Sequence, residues 1–195
     1  MKVNVKHIKR EYEGFFTLEK ARLQFEKFDG SKSKEIEREN FYRGDSVAAL
    51  VYDSRNEKVT LVRQFRYPVY SVDPEHAWLI ELVAGRCEKN ENPQETLVRE
   101  LKEEMLISIV AEQLEYIGQF FLSPGGTSER IYLYAADVDL SNFEEQSGGR
   151  EEEDENIQIL HFSTRQVIDL LERGDFRDAK TIIALQWLKA RFNPK

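Results

Sequence analysis

Residues 85–107 read GRCEKNENPQETLVRELKEEMLI and contain the clearest structural signal in the chain. Asn92 followed by Pro93 is typical of a helix start, because Asn caps free backbone N–H groups and Pro suits the first helical position. From Leu97 to Met105, apolar residues recur at helical spacing and predict one buried stripe. The segment therefore predicts an amphipathic helix that begins near residue 93.

Three carboxylates lie on another face of this predicted helix. Glu100, Glu103 and Glu104 are spaced i, i+3 and i+4, which places them together. Their mutual repulsion costs free energy unless cations lie among them. Hard divalent ions such as Mg²⁺ or Mn²⁺ prefer oxygen ligands, and Mg²⁺ often shares protein carboxylates with substrate phosphates. The row indicates either metal-assisted phosphate chemistry or, as for many Glu-rich helices, a solvated surface.

Short apolar runs on both sides of the helix predict a mixed α/β domain with an irregular strand order. The predicted strands are 47–52, 59–67, 78–83, 114–121, 130–138 and 157–162. Two helices are predicted to close the chain, the first opened by a capping box of Ser163 and Gln166 and the second running from about residue 179 to 192. The buried residues expected on the last helix are Ile182, Ile183, Leu185 and Trp187.

The first forty residues predict a small, highly charged β unit. Apolar and polar residues alternate from Ala21 to Glu26, as in a half-buried strand, and Asp29-Gly30 supplies a turn. Residues 31–35 look too polar to bury. Because this unit has little apolar mass, we expect it to pack on the rest of the chain or on a second subunit. The composition changes at Arg43-Gly44, which predicts a division into residues 1–43 and 44–195.

Composition limits the classes of function. The chain has 195 residues, of which 41% are hydrophobic, enough for a buried core rather than global disorder. The net charge of −8 argues against a nucleic-acid groove, which needs an excess of Lys and Arg. One cysteine excludes an internal disulfide, and no apolar stretch reaches the ~20 residues of a membrane span. We therefore expect a cytoplasmic protein without membrane or nucleic-acid partners.

The spacing of residues 85–107 resembles the Nudix box. That pattern is glycine, five residues, glutamate, seven residues, then Arg-Glu-apolar-x-Glu-Glu-x-x-apolar, and it matches here from Gly85 through Glu91 to Ile107. The resemblance implies an α/β/α sandwich with a mixed sheet, plus a small N-terminal β domain. The second x before the last apolar residue is glycine in the Nudix pattern, and here it is Leu106. We therefore expect either a left-handed residue at this position or a different exit from the helix.

Other segments resemble the ADP-ribose pyrophosphatase branch of the Nudix hydrolases. The run 123–130, SPGGTSER, is similar to a substrate loop of that branch, and the likeness extends over nearly the whole chain from about residue 12. It implies Mg²⁺-dependent hydrolysis of the diphosphate of ADP-ribose to AMP and ribose 5-phosphate. It also implies a homodimer that takes a small nucleotide-sugar substrate.

The resemblance also implies roles for the acidic residues. The carbonyl of Ala84 and the carboxylates of Glu100, Glu104 and Glu155 would hold the metal, with Mg²⁺ expected and Mn²⁺ as the alternative. Glu103 would act beside them as a further ligand or catalytic group, and Arg99 would orient the box by pairing with a carboxylate. Counting back from residue 157 places the general base at Glu153, with Glu152 as the next candidate.

Substrate contacts are implied on the same grounds. Phe15 is a candidate to stack on adenine, or else to fill a hairpin core. Arginines would neutralise the diphosphate or reach the adenosine, while Gly125 allows close backbone approach to the terminal ribose and Glu129 accepts its hydroxyl hydrogen bonds. The full set of predicted substrate-binding residues is Phe15, Phe16, Arg38, Glu39, Arg43, Arg66, Arg86, Ser123, Pro124, Gly125 and Glu129.

Two rival functions fit the sequence. One is a pyrophosphatase for another nucleotide sugar, of the GDP-mannose type. The other is a Nudix domain without catalysis that senses such ligands, for which Leu106 is the best support and the intact carboxylates are the main objection.

Overall fold

The computed structural model describes residues 1–88, 90–141, 147–148 and 156–192. The chain divides into two compact units. The small unit comprises Met1–Asp45 and Phe121–Arg130, and the large unit comprises Ser46–Phe120 and Ile131–Lys195. Among the described residues, no helix combines the length and the apolar character needed to cross a membrane.

The small unit contains an antiparallel sheet of three strands among its described residues. These are β1 (Val3–Glu13), β2 (Thr17–Phe25) and β3 (Ile36–Tyr42), in that order across the sheet. Every residue of β1 is exposed, in agreement with the small apolar mass expected from the sequence. Ser33 is buried, contrary to the expectation for residues 31–35, because its hydroxyl accepts a hydrogen bond from the backbone N–H of Phe25 at 3.0 Å.

The large unit is built on a mixed sheet. Its strands are β4 (Ser46–Asp53), β5 (Lys58–Phe65), β6 (Trp78–Glu81), β7 (Val83–Arg86), β8 (Leu114–Phe121), β9 (Arg130–Asp137), β10 (Ser147–Gly148) and β11 (Ile157–Ser163). In the described part of the chain the sheet has the order β10-β11-β5-β4-β9-β8, with β6 beside β5 and β7 beside β4. The central strand β4 runs antiparallel to β5 and β7 and parallel to β9.

Helices accompany the sheet along the chain. They are α1 (Tyr67–Tyr70), α2 (Pro93–Met105), α3 (Thr164–Arg173) and α4 (Ala179–Phe192), with short 3₁₀ turns at Pro74–His76 and Ala111–Gln113. The predicted start of α2, the capping box of α3 and both ends of α4 are confirmed. The predicted strand 78–83 is interrupted at Leu82, which separates β6 from β7.

Alternation along β4 divides the core of the large unit into two layers. Val47, Ala49 and Val51 pack in the layer that contains Leu97, Leu101 and Met105 of α2. Ala48, Leu50 and Tyr52 pack in the layer that contains Val167 and Leu171 of α3 and Leu185 and Leu188 of α4. Each fully buried Val, Leu or Met side chain in these layers contributes about 1.5–3 kcal/mol. The expected α/β/α sandwich is confirmed.

The buried stripe of α4 differs slightly from the prediction. Ile183 is 39% exposed, so its expected burial is wrong, and Leu188 is fully buried instead. Ile182 and Trp187 are partly buried and pack at the edge of the core. The stripe runs through residues 181, 184, 185 and 188, a spacing that faces one side of a helix and leaves position 183 outside it.

Candidate active site

Helix α2 presents the acidic row, and both of its ends are fixed by hydrogen bonds. At the start, the side chain of Asn92 accepts from the N–H of Gln94 at 2.9 Å. At the end, Leu106 takes the left-handed conformation with φ 58° and ψ 23°. The N–H of Ile107 then donates to the carbonyl of Leu101 at 3.0 Å, as in a glycine-type helix end. The first of the two alternatives for Leu106 is therefore confirmed.

Glu100 packs directly against the backbone of β7. A Cβ atom added to Gly85 would lie closer than 3.0 Å to Cγ, Cδ and Oε1 of Glu100, a separation that real Cβ atoms essentially never show. Gly85 is held opposite Val47 of β4, and Ala84 is opposite Ala48. The absence of a side chain at residue 85 thus lets a carboxylate of α2 reach the strand that carries the Ala84 carbonyl.

Arg99 links the acidic residues of the box. Its Nη1 lies 2.7 Å from Oε1 of Glu100 and 3.0 Å from Oε2 of Glu103, while its Nε lies 3.7 Å from Oε1 of Glu91. Burial opposes the charged form, but the carboxylates of Glu100 and Glu103 raise the pKa of Arg99. The hydrogen bond from the N–H of Glu88, with Arg99 nearby, holds the pKa of Glu91 below its usual value. The predicted pairing of Arg99 is confirmed.

The acidic row suits a hard cation. Glu104 is buried with 6% exposure, and a buried carboxylate is stable in its charged form only where cations or donors offset the loss of solvation. Within the described ranges, there is no group of three or more His, Cys, Asp or Glu residues that could hold a metal ion by itself. The carboxylates of Glu100 and Glu104 and the Ala84 carbonyl are all oxygen donors, which fits Mg²⁺ or Mn²⁺ chemistry.

The predicted base and the third carboxylate ligand, Glu153 and Glu155, lie outside the described residues, as does the alternative base Glu152. Their roles stay predictions from the sequence.

Two predicted substrate arginines lie in the large unit. Arg66 donates from Nε at 2.9 Å and from Nη2 at 2.6 Å to Oε2 of Glu81. Glu81 is buried, while the Arg66 side chain is 39% exposed. Arg86 is the last residue of β7 and is exposed. Arg66 is therefore held by two hydrogen bonds to its carboxylate partner while its side chain stays partly open to solvent.

The small unit gathers another part of the predicted set. Arg43 lies over the ring of Phe16 at 5.3 Å, and its Nε lies 3.3 Å from Oε1 of the buried Glu129. Phe16 also contacts Phe41, with 5.0 Å between ring centroids, and Phe15, with 4.6 Å. Phe15 is 78% exposed, so it does not fill a hairpin core. The arrangement offers an exposed aromatic face beside an arginine held by a carboxylate.

The turn at residues 123–127 lies beside this aromatic group. The N–H groups of Gly126 and Thr127 both donate to the carbonyl of Ser123 at 3.0 Å, and the Gly126 carbonyl accepts from the N–H of Phe41 at 2.8 Å. The predicted residues Ser123, Pro124 and Gly125 therefore belong to a tight turn on the edge of β3.

Arg38 and Glu39 are not part of the aromatic group. Arg38 donates to the carbonyl of Glu37 at 2.8 Å, and Glu39 lies 3.7 Å from Nζ of Lys20. Side chains alternate along β3, so Arg38 faces the side opposite to Phe41.

Sequence reasoning missed two carboxylates that hold arginines. Glu81 pairs with Arg66, and Asp45 forms a two-point ion pair with Arg130. A signal existed for Glu81, since it is a charged residue within the apolar run 78–83. Asp45 carries no comparable signal in its local sequence.

Comparison with known proteins identifies the family. The sequence profile described as NUDIX domain matches residues 42–185. The chain belongs to the Nudix family. Its Nudix box lies on α2 and β7, and the chain is accordingly a Nudix hydrolase. Nudix hydrolases generally use divalent metal ions.

Curated relatives cover most of the chain. An ADP-ribose pyrophosphatase of Escherichia coli (strain K12) is 35% identical over 192 residues, which is 96% of this chain and 89% of the relative. An ADP-ribose pyrophosphatase of Haemophilus influenzae is 33% identical, covering 93% of this chain and 83% of the relative. A GDP-mannose pyrophosphatase of Cronobacter sakazakii is 32% identical, covering 98% of each chain.

A solved structure shares the fold. The crystal structure of an ADP compounds hydrolase superposes with a TM-score of 0.66 and covers 98% of this chain and 96% of its own, at 19% identity. This likeness supports the Nudix fold described above.

Proposed function

We propose that this Nudix hydrolase cleaves the diphosphate of ADP-ribose to AMP and ribose 5-phosphate in the presence of Mg²⁺. The observation that carries the proposal is the packing of Glu100 against Gly85, with Arg99 holding Glu100 and Glu103. This arrangement holds the carboxylates of Glu100 and Glu103 in place. The relatives named ADP-ribose pyrophosphatase, at 33–35% identity over most of the chain, support ADP-ribose as the substrate.

The proposed metal ligands are the carbonyl of Ala84 and the carboxylates of Glu100, Glu104 and Glu155. Bound Mg²⁺, or Mn²⁺ in its place, would withdraw charge from the phosphoryl oxygens. Arg99 keeps Glu100 in place and is itself held by Glu103 and Glu91.

The proposed general base is Glu153, which would take a proton from the attacking water. Glu153→Gln should lower kcat strongly and leave KM nearly unchanged, because the amide keeps the shape but cannot accept the proton. Glu152→Gln is the matched control, since it makes the same change one residue away. Wild-type kcat in Glu153→Gln would refute this assignment.

Substrate recognition is proposed for the residues that resemble those of the ADP-ribose pyrophosphatase branch. Phe15 and Phe16 would contact the adenine, and Arg38, Arg43, Arg66 and Arg86 would neutralise the diphosphate or reach the adenosine. Gly125 and Glu129, with Ser123 and Pro124, would approach the terminal ribose, and Glu39 completes the proposed set. The exposure of Phe15, which leaves its ring open to a ligand, supports stacking on adenine.

The deciding experiment is a panel of nucleoside diphosphate sugars incubated with the protein and Mg²⁺, with products identified by mass. We expect AMP and ribose 5-phosphate from ADP-ribose. The panel must include GDP-mannose, because relatives named GDP-mannose pyrophosphatase are 32–33% identical over 88–98% of the chain. Faster cleavage of GDP-mannose would favour that alternative. No cleavage of either compound would refute the proposal.

We also propose that the protein is a cytoplasmic homodimer. One face of the small sheet carries apolar side chains that lie opposite one another across β1 and β2, since Val3 pairs with Phe25, Val5 with Leu23 and Ile8 with Ala21. The side chains of Val3, Val5, Ile8 and Phe25 are exposed, and those of Leu23 and Ala21 are half-buried. Exposed apolar patches of this kind mark association sites. Light scattering should give twice the chain mass, and Val5→Lys should give the mass of one chain.

A further inference from the structure

Four side chains of alternating charge contact one another in sequence and form a row in the large unit: Arg66, Glu81, Lys180 and Asp178. The buried carboxylate of Glu81 accepts both hydrogen bonds of Arg66 at Oε2, and its Oε1 lies 4.0 Å from Nζ of Lys180. Lys180 in turn donates to Oδ1 of Asp178 at 2.6 Å. The side chains of Glu81, Lys180 and Asp178 are 4%, 12% and 9% exposed. Two positive and two negative charges therefore cancel in a region with little solvent screening.

The row is anchored to the start of α4 and to the junction of β6 and β7. Asp178 caps α4, because its Oδ2 accepts from the N–H of Thr181 at 3.0 Å and from its hydroxyl at 2.7 Å. The same hydroxyl accepts a hydrogen bond from the N–H of Leu82 at 3.0 Å. Leu82 directly follows Glu81, so the helix cap fixes the backbone beside the carboxylate that holds Arg66.

The charge balance gives Lys180 a specific effect on Arg66. Without the ammonium group, Glu81 would have Arg66 as its one remaining cation in the row, and the row would carry a net charge of −1. When a buried carboxylate loses one of its two cations, it attracts the remaining cation more strongly and repels an approaching anion. In the described part of the chain, Nη1 of Arg66 makes no hydrogen bond, so this nitrogen is available to a phosphate oxygen.

We infer that Lys180 is a positioning residue which acts through Glu81 to keep Arg66 oriented and positively charged toward the anionic substrate. The inference rests on the proposed function, in which Arg66 binds the diphosphate. Besides Glu81, Lys180 of α4 thus becomes a second residue that sets substrate affinity through Arg66.

The test compares kcat and KM for ADP-ribose in Lys180→Met and Lys180→Arg. We expect Lys180→Met to raise KM about tenfold with kcat within about twofold, because a weakened charge-assisted hydrogen bond acts on binding. Lys180→Arg keeps the charge and should restore KM to within about threefold of wild type. Lys189→Met is the matched control, since Lys189 lies on the same helix and pairs at 2.8 Å with the exposed Glu172.

Two further variants separate positioning from a purely structural role. In an Arg66→Met background, Lys180→Met should raise KM no further. Asp178→Asn keeps the helix cap and gives the row a net charge of +1, so it should lower KM by about two- to threefold. This variant tests the inference even if Lys180→Met fails to fold at the assay temperature.

The outcomes distinguish the inference from the proposed function. An unchanged KM in a folded Lys180→Met, an additive effect in the Arg66→Met background, or a raised KM in Asp178→Asn would each overturn the positioning role. If the wild type does not hydrolyse ADP-ribose, the proposed function fails. The inference is then tested by the dissociation constant of ADP, whose diphosphate probes Arg66 directly, and equal constants for wild type and Lys180→Met would overturn it.

Discussion

Gly85→Ala tests the close approach of α2 to β7 most directly. The new Cβ would lie closer than 3.0 Å to three atoms of Glu100, whereas ordinary contacts are 3.4–4 Å, so the Glu100 carboxylate must move by about 1 Å. That movement also disturbs its 2.7 Å pairing with Arg99. A misplacement of about 1 Å in a catalytic group can cost about 100-fold in rate. We therefore expect kcat/KM for ADP-ribose to fall about 100-fold.

The assay is Mg²⁺-dependent release of AMP, followed at several substrate concentrations to separate kcat from KM. Gly118→Ala is the matched control, because a Cβ at Gly118 in β8 meets nothing within 4 Å, and this variant should keep wild-type activity. Thermal unfolding shows whether Gly85→Ala remains folded at the assay temperature. A folded Gly85→Ala with wild-type kcat/KM would refute the argument that the position of Glu100 requires a residue without a side chain at position 85.

Three other predictions follow from the described geometry. Leu106→Gly should raise the free energy of unfolding by about 0.5–1 kcal/mol, since relief of left-handed strain outweighs the added chain entropy; a loss of stability in urea titration would contradict this. Burial alone would raise the pKa of Asp53, but the hydrogen bonds it accepts from Arg55, Asn56 and Leu140 lower it from 3.8 to about 2. The ionised Asp53 therefore contributes about 2 kcal/mol to the free energy of unfolding above pH 4, and this contribution is lost as the pH falls toward 2. Asp53→Asn should lower the free energy of unfolding at pH 7 and lower it much less at pH 2. Equal losses of stability at both pH values in urea titrations would rule this out. Dialysis against EDTA should abolish hydrolysis of ADP-ribose and leave the circular dichroism spectrum unchanged, with activity returning on addition of Mg²⁺; activity that survives exhaustive chelation would refute metal dependence.

Local features of the structure were predictable from the sequence where short-range chemistry decides them. Asn92 with Pro93 marks the start of α2, and the capping box after Ser163 marks the start of α3, because both depend on hydrogen bonds within one helical turn. The pairing of Arg99 with Glu103 was likewise accessible, since the two residues are one helical turn apart.

Features that depend on distant packing were not predictable in the same way. The Lys180–Glu81 contact joins residues 99 positions apart, and no local pattern indicates it. Ile183 is apolar and lies within an apolar run, yet the way α4 packs on the sheet leaves it exposed. The sequence allowed either a left-handed residue at Leu106 or a different exit from the helix. The backbone hydrogen bond from Ile107 to Leu101 decides between these alternatives.

The left-handed turn at Leu106 bears on how relatives of this enzyme are found. The hydrogen bond that closes α2 is made by backbone atoms alone, so glycine at this site is an energetic preference of about 1 kcal/mol, against the 5–15 kcal/mol that holds a domain folded. A genome search that demands glycine there would discard this chain. Sequences that violate the signature only at that turn should therefore be kept as candidate enzymes and assayed.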